Sequence, residues 1–294
     1  MRIGIAMSRD RPNWPVRRLI RVLDSRSCEA VTFRLKDISV HMDSERMQFL
    51  LPRRRPLEVN GLILRSIGGG STDQITSRIS VLEAMEFSGI RVFNSAYSHR
   101  RAKDKLATLV WLAHHGIPIP QTTVTERLAV AVASTKRYKD IVSKPLRGSQ
   151  GQGIFRLDDP DLAFRIFKIL QTANQTMLIQ EFIETPGRDI RVFVVGNRVI
   201  GAMYRYAKPG AWKTNVSRGG KPEECPISKD LEKLAINASK AMQMDFAGID
   251  ILESKTGLVV SEVNSAPNWS GLQKAIGIDA AEEIIDHILR QLEA

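Results

Sequence analysis

FAGIDILESKTGLVVSEVN, residues 246–264, reads as two strands joined by a polar turn. Phe246–Leu252 and Leu258–Val263 are mostly apolar, and Glu253 to Gly257 separate them. Three polar residues interrupt the pattern: Asp250, Glu262 and Asn264. Glu262 and Asn264 are two apart, so on a strand they share a face. A turn centred near residue 256 puts Asp250 opposite Glu262, with Ile249, Ile251, Val259 and Val263 turned to the core behind. Two carboxylates directly opposed across strands repel, and a cation between them removes that cost. Two carboxylates and an amide make an all-oxygen set suited to magnesium, which commonly shares its shell with nucleotide phosphates. The alternative is an exposed acidic hairpin, which the apolar character of both strands opposes.

Working outward, SKPLRGSQGQGIF spans residues 143–155 and holds Gly148, Gly151 and Gly153. No Gly-Lys-Ser/Thr follows, and a strand comes after the glycines where a dinucleotide fingerprint has a helix. The pattern fits a glycine-rich hairpin loop whose amides can fold over a polyphosphate, with Lys144 placing a cation against it. A plain flexible hairpin fits the same residues. Asp189 and Arg191 share one face of a strand whose other face is Ile190, Val192 and Val194. They suit a ribose hydroxyl and a phosphate, or equally a cross-strand ion pair.

Strand and helix patterns alternate over the first hundred residues, with strands at Arg2–Met7, Gly61–Ser66 and Ile90–Phe93 and helices at Pro15–Ser25 and Asp73–Phe87. This predicts an open α/β sheet, with ligands at the carboxyl ends of its strands. Gly68-Gly69-Gly70-Ser71 follows one such end, just after Arg65. A long helix is predicted over Tyr97–His115, closed by Gly116, Pro118 and Pro120. Later strands alternate with helices, and Gly196-Asn197 marks a hairpin turn.

The chain has 294 residues and a formal net charge of +11, with basic clusters at Arg17-Arg18, Arg53–Arg55 and Arg100-Arg101. Such charge favours anionic partners, nucleotides and polyacidic substrates among them, or simply a solvated face. Zinc-finger spacing, an RNP motif and a basic zipper are all absent. The two cysteines, Cys28 and Cys225, are far apart and fit buried thiols in a reducing compartment. The N-terminal apolar run is too short for a signal peptide, and no stretch has the length of a membrane span. A cytoplasmic protein is expected.

The order of these features resembles the ATP-grasp carboxylate–amine ligases: a lysine before a helix, a lysine before a glycine loop, QEFI, Asp…Arg, RGG, Asp, then Glu-x-Asn. More narrowly it is similar to the RimK-type α-L-glutamate ligases. DIRVFVVG, AMYR, WKTNVSRGG, FAGIDILES and EVNSAPNWSGL resemble the tetrahydromethanopterin:α-L-glutamate ligase branch. The resemblance covers most of the chain and is specific from about Lys105 to Gly277.

It implies an α/β (α+β) ATP-grasp fold: an N-terminal open α/β domain over residues 1–96, then two α+β subdomains, 97–180 and 181–294, that clasp ATP. By position, Lys105 and Lys144 hold the phosphates, Ser149, Gln150, Gly151 and Gly153 close over them, and main-chain groups of Glu181 and Phe182 recognise adenine. Asp189 contacts the ribose, and Arg191 joins the nucleotide site. Lys213, Thr214 and Asn215 line it too, although some relatives carry Arg-Ser-Asn there and the planar fork is lost here. Arg205 and Arg218 face the acyl phosphate and stabilise the oxyanion, and Asp250, Glu262 and Asn264 hold the metal. Arg65, Gly69 and Ser71 are expected at the acceptor end.

The implied reaction uses ATP and magnesium, or manganese, to activate an acidic acceptor's carboxylate, which the amine of L-glutamate then attacks. A pterin-type cofactor or glutamyl tail is the expected acceptor. The C-terminal tail of a ribosomal protein is the alternative, and a non-catalytic nucleotide or nucleic-acid binding module is the alternative of another class. Oligomeric state stays open.

Overall fold

A computed structural model describes residues 1–146, 153–214 and 220–294. The chain opens as β1 (Arg2–Ala6), α1 (Trp14–Ser25), β2 (Glu29–Phe33), β3 (Ser39–Met42), β4 (Met47–Leu51), β5 (Arg55–Pro56), β6 (Gly61–Leu64), α2 (Thr72–Phe87) and β7 (Arg91–Phe93). The first sheet is parallel, in the order β2-β1-β6-β7. Helices cover both faces of a parallel sheet, so its strands read as unbroken apolar runs, and every residue of β6 is buried. Strands β3 to β5 form a small antiparallel sheet that the sequence reading missed. β3 buries none of its residues fully, which leaves no clean alternation to read.

The long helix predicted over Tyr97–His115 is two helices, α3 (Ala96–Lys103) and α4 (Lys105–His114). Asp104 between them is extended, at φ −109° and ψ 112°, and its carboxylate accepts from the Ala107 amide at 3.1 Å. A short acidic side chain that can satisfy the first free amides of a helix stabilises a fresh start. Lys105 thereby opens α4.

The middle of the chain runs β8 (Thr122–Thr125), α5 (Leu128–Tyr138), β9 (Ile141–Lys144), β10 (Phe155–Leu157), α6 (Pro160–Thr172) and β11 (Met177–Glu181). Its antiparallel sheet has the order β10-β9-β11-β8, and Ala131 of α5 and Phe167 of α6 pack with Ile141 and Ile179. The last third supplies β12 (Arg188–Val195), β13 (Arg198–Tyr206), β14 (Lys221–Glu224), α7 (Lys229–Ala241), β15 (Phe246–Ser254), β16 (Gly257–Asn264), α8 (Ser270–Ile276) and α9 (Ala280–Glu293). Its antiparallel sheet has the order β14-β13-β12-β15-β16.

The two faces of this last sheet have different fates. Ile190, Val192, Ile249 and Ile251 turn to α7 and join Leu231 and Ala235 in one core. On the opposite face, Phe193, Val195 and Phe246 pack with Ile3 and Ile63 of the first sheet and with Ile284, Ile285 and Ile288 of α9. Further along that same face the side chains become charged: Asp189, Arg191, Arg205, Asp250 and Glu262.

A β-bulge sets this arrangement. Asp250 pairs with Glu262, whereas Ile251 pairs with Val260, so Ser261 is the extra residue. Its hydroxyl donates to the Asp250 carbonyl at 3.2 Å. The sequence reading placed Val259 in the core with a turn centred near 256. The turn is Lys255-Thr256, as expected, and the bulge carries Glu262 round to face Asp250. Val260 is the fully buried residue, and Val259 is only partly covered.

Candidate active site

Two rows of paired charges floor the site. Asp189 of β12 faces Arg205 of β13, which donates to it through Nε at 2.7 Å and Nη2 at 2.6 Å. Arg191 faces Asp250 of β15 and donates to both of its oxygens, with Nη2 at 2.7 Å. Arg205 also reaches Asp250 at 3.0 Å, which links the rows. All four side chains are nearly or wholly buried. Burial alone would raise the Asp250 carboxyl, but Arg191 and Arg205 together hold it below its ordinary value. Burial likewise works against the charge on Arg205, and Asp250 and Asp189 overcome it. Thr214 donates its hydroxyl to Asp189 at 2.6 Å. Asp189 and Arg191, read from sequence as ribose and phosphate contacts or as a cross-strand ion pair, are each held in a cross-strand ion pair.

Facing this floor is the end of β9. Lys144 donates to Gln180 Oε1 at 2.6 Å, and Gln180 Nε2 donates to Thr122 Oγ1 at 2.9 Å. Burial pushes the Lys144 ammonium down to about 8, with Glu262 and Asp250 opposing and Lys105 adding to the fall. Lys105, Thr108, Lys144, Gln180, Ser261 and Glu262 line one narrow cavity. Burial lowers the Lys103 ammonium, and the charge of Glu262 opposes that fall. Asn264 pairs with Gly248 and donates to its carbonyl at 3.4 Å. Sequence reasoning quoted Gln180 only within QEFI, with no role, and did not single out Lys103. A glutamine inside the apolar run Met-Leu-Ile-Gln was the available signal for the first.

The segment after β11 makes an aromatic ledge. Phe182 meets Trp212 edge to face at 6.0 Å, and the Arg156 guanidinium lies 3.7 Å from the Phe182 ring centre. The amides of Glu181 and Phe182 donate to the carbonyls of Gln121 and Asp140, so a base read by these two residues would meet their carbonyls. The Glu181 carboxylate binds Gln121. Lys213 donates to the Ile154 carbonyl at 2.8 Å, beside Gly153 with its φ of +67°. Ser149, Gln150, Gly151, Asn215 and Arg218 lie outside the described residues.

The acceptor-end candidates separate. Arg65 turns toward the segment after β16, donating to the Pro267 carbonyl at 2.7 Å, with its guanidinium 5.1 Å from the Trp269 ring centre. Ser71 caps α2 in a reciprocal pair with Gln74. The Gly69 carbonyl accepts from Arg78 at 2.7 Å, and Gly69 lines a cavity of about 770 Å³ enclosed by α2, α3 and α4.

These residues fit a nucleotide and a hard divalent cation. Asp250, Glu262 and Asn264 offer oxygen donors of the kind magnesium takes. Among the described residues no group of three or more His, Cys, Asp or Glu side chains could hold a metal by itself, so phosphate or water oxygens would complete the shell. Lys105 and Lys144 line one cavity with Glu262 and place positive charge there suited to phosphates.

The fold and this array define an ATP-grasp protein. Residues 102–288 match the model of the RimK-like ATP-grasp domain. The tetrahydromethanopterin:α-L-glutamate ligase of Methanosarcina acetivorans is 31% identical over 98% of both chains. The protein of that name from Methanococcus maripaludis is 34% identical, again over 98% of both. Among solved structures, the ATP-grasp ligase PsnB complexed with minimal precursor, Mg and ADP superposes with a TM-score of 0.75 at 19% identity, covering 100% of this chain and 98% of that one. The chain belongs to the RimK-like ATP-grasp family. Among the described residues, no helix is long and apolar enough to cross a membrane.

Proposed function

We propose that this protein is an ATP- and magnesium-dependent ligase joining the amine of L-glutamate to the carboxylate of an acidic acceptor. The observation that carries the reading is the meeting of Lys105, Lys144 and Glu262 in one cavity beside Asp250, on a chain aligned end to end with named glutamate ligases. In this reading residues 1–96 help hold the acceptor, 97–180 cover the nucleotide and 181–294 carry the metal ligands.

A bound magnesium ion, with manganese as the substitute to be tried, would neutralise charge on the transferring phosphoryl group. Lys105 and Lys144 orient the phosphates, and Gln180 fixes the Lys144 ammonium in place. An acceptor carboxylate oxygen bonds to the terminal phosphorus, and the bond to ADP breaks. The neutral amine of glutamate then attacks the acyl carbon, phosphate departs, and the amine proton passes to phosphate or solvent. Arg205, rigid between Asp189 and Asp250, presents fixed positive charge to the oxyanion, a role Arg218 shares.

The test is ADP release with glutamate, magnesium and a panel of carboxylate acceptors, followed by product mass. An acceptor gaining one glutamyl residue per ADP supports the reading. ADP formation that never requires glutamate would overturn it.

A further inference from the structure

Two lysines flank the break between α3 and α4, and they serve different cavities. Lys105 lines the narrow cavity with Lys144 and Glu262. Lys103, two residues earlier, lines the cavity of about 770 Å³ on the other side. A continuous helix would place residues 103 and 105 about 200° apart. The break at Asp104, with its extended backbone, sets their directions independently. Helix α3, which carries Lys103, packs against β16, which carries Glu262, so the inner end of the large cavity lies toward the phosphate site.

The large cavity has the size of a small-molecule pocket and opens where β1 and β6 end, at Ser8 and Ser66. Its lining includes apolar and aromatic side chains, Ile75 and Ile79 of α2 with Tyr97 and Trp111. The charge is basic. Arg101 is 3% exposed, its guanidinium held 4.2 Å from the ring centre of Tyr97 and 4.3 Å from that of Trp111. Its Nη2 donates to the Met242 carbonyl and to Gln243, while Nε and Nη1 are buried without a partner among the described residues. Arg100 and Lys103 form no ion pair among the described residues. Against these three cations stand Glu83 and Asp104, and Asp104 is committed to capping α4. A buried donor left unsatisfied is costly, and an anionic ligand would relieve it.

We infer that this cavity is the acceptor site, that it takes a molecule with a flat apolar body and an anionic tail, and that Lys103 receives the carboxylate to be activated. The body lies between the α2 isoleucines and Trp111. Arg100 and Arg101 hold negative charge along the tail. Lys103 holds the terminal carboxylate at the opening toward Glu262, leaving Lys105 and Lys144 to the nucleotide. The assignment rests on the ligase reading above.

The test uses full-length protein and 4-aminobenzoyl-L-glutamate as probe, with N-acetyl-L-glutamate as the control lacking the ring. Binding is measured by calorimetry without nucleotide, then turnover with ATP, magnesium and glutamate. The probe should bind about tenfold or more tightly than the control, and Lys103→Gln and Arg100→Gln should each weaken it by about tenfold. In turnover, Lys103→Gln should raise the acceptor KM by a like factor, leave the KM values of ATP and glutamate within about twofold, and be partly rescued by Lys103→Arg. Arg100 and Lys103 both present surface to solvent, although burial weighs on the Lys103 ammonium, so a melting curve checks that both variants fold. A wild-type enzyme that glutamylates the probe while both variants keep its affinity and KM overturns the cavity assignment and leaves the ligase standing. A rise in the glutamate KM alone overturns it too, giving the cavity to the amine substrate. Lys103-dependent binding in a protein that adds glutamate to nothing overturns the ligase reading on which the assignment rests.

Discussion

The guanidinium of Arg205 lies 3.0 Å from the carboxylate of Asp250, the aspartate expected to hold the metal. The group assigned to the oxyanion and a group assigned to the cation therefore support one another before any substrate arrives. Arg191 completes the arrangement from the neighbouring strand. In the proposed metal site Asp250 would offer magnesium a carboxylate whose charge is already shared, and Glu262 would supply the less encumbered one.

Asp250→Asn should therefore destabilise the protein as well as disable it. Removing the charge leaves the buried Arg191 guanidinium without its carboxylate, while Arg205 keeps Asp189, and breaking a buried pair costs about 3–5 kcal/mol. Because the folded Asp250 pKa is depressed, its contribution is fully present above the ordinary carboxylate value and is lost as pH falls through the lower folded value. Thermal melts between neutral and strongly acid pH should show a large deficit in the variant at neutrality that narrows on acidification. A deficit constant with pH would contradict the pairing.

Glu262→Gln should behave differently. Opposition to Asp250 alone suggests that losing one carboxylate relieves repulsion and stabilises the metal-free protein. The structure reverses that expectation, because Arg191 and Arg205 offset Asp250, and the charge of Glu262 favours the ammonium groups of Lys103 and Lys144. The variant should lose about 1 kcal/mol or less, since Glu262 is only partly buried. Its magnesium requirement should rise far more than its melting temperature falls. Unchanged magnesium dependence of turnover would remove Glu262 from the metal set.

Lys144 gives the site a pH limit. Its folded pKa sits near 8, below the ordinary 10.5, so the free protein loses this charge as pH rises through about 8. Nucleotide affinity should weaken over that interval, and ATP binding near pH 8 should take up protons, readable as a buffer-dependent calorimetric heat. The linkage has the opposite sign for stability: the nucleotide-free fold gains stability between the folded and unfolded values as the buried charge disappears. Lys144→Ala should cut turnover by about two orders of magnitude or more, and Lys144→Arg should restore part of it while moving the alkaline decline upward.

Much of this was legible in the sequence, for reasons that differ by residue. The strands around Asp250 and Glu262 declared themselves because polar residues interrupt strongly apolar runs. Their opposition was anticipated, but the bulge at Ser261 that produces it was not, because a bulge depends on pairing with a partner strand. A cross-strand ion pair was one of the two readings of Asp189 and Arg191, but the partners, Arg205 and Asp250, lie on neighbouring strands, so spacing within one strand could not name them. Asp104 was hidden inside a continuous helical pattern, where only the capping chemistry of aspartate hinted at a restart. Lys103 carried no signal of its own, since a lysine among basic residues reads as surface until the fold packs α3 against β16.

Arg65 supplies the last prediction. Following a strand end and preceding a glycine loop, it suggested an anion grip for the acceptor. In the fold it clamps two distant parts of the chain, donating from the end of β6 to the carbonyls of Ala266 and Pro267, just beyond Asn264. Its guanidinium stacks 5.1 Å from the Trp269 ring centre, and burial lowers its pKa to about 10. Arg65→Met keeps much of the side-chain volume and removes both the charge and the donors. The two carbonyls then lose their partner and the ring its cation, a loss of about 2–3 kcal/mol if each follows its usual magnitude. The segment carrying Asn264 loosens with them, so the magnesium concentration for half-maximal turnover should rise. Arg65→Lys retains charge without the planar fork and should fall between the two. Arg65 is absent from the lining of the large cavity, so the acceptor KM should move less than in Lys103→Gln. Melting curves and magnesium titrations of the two Arg65 variants check this ordering. A selective rise in acceptor KM, with stability and magnesium dependence unchanged, would return Arg65 to the acceptor.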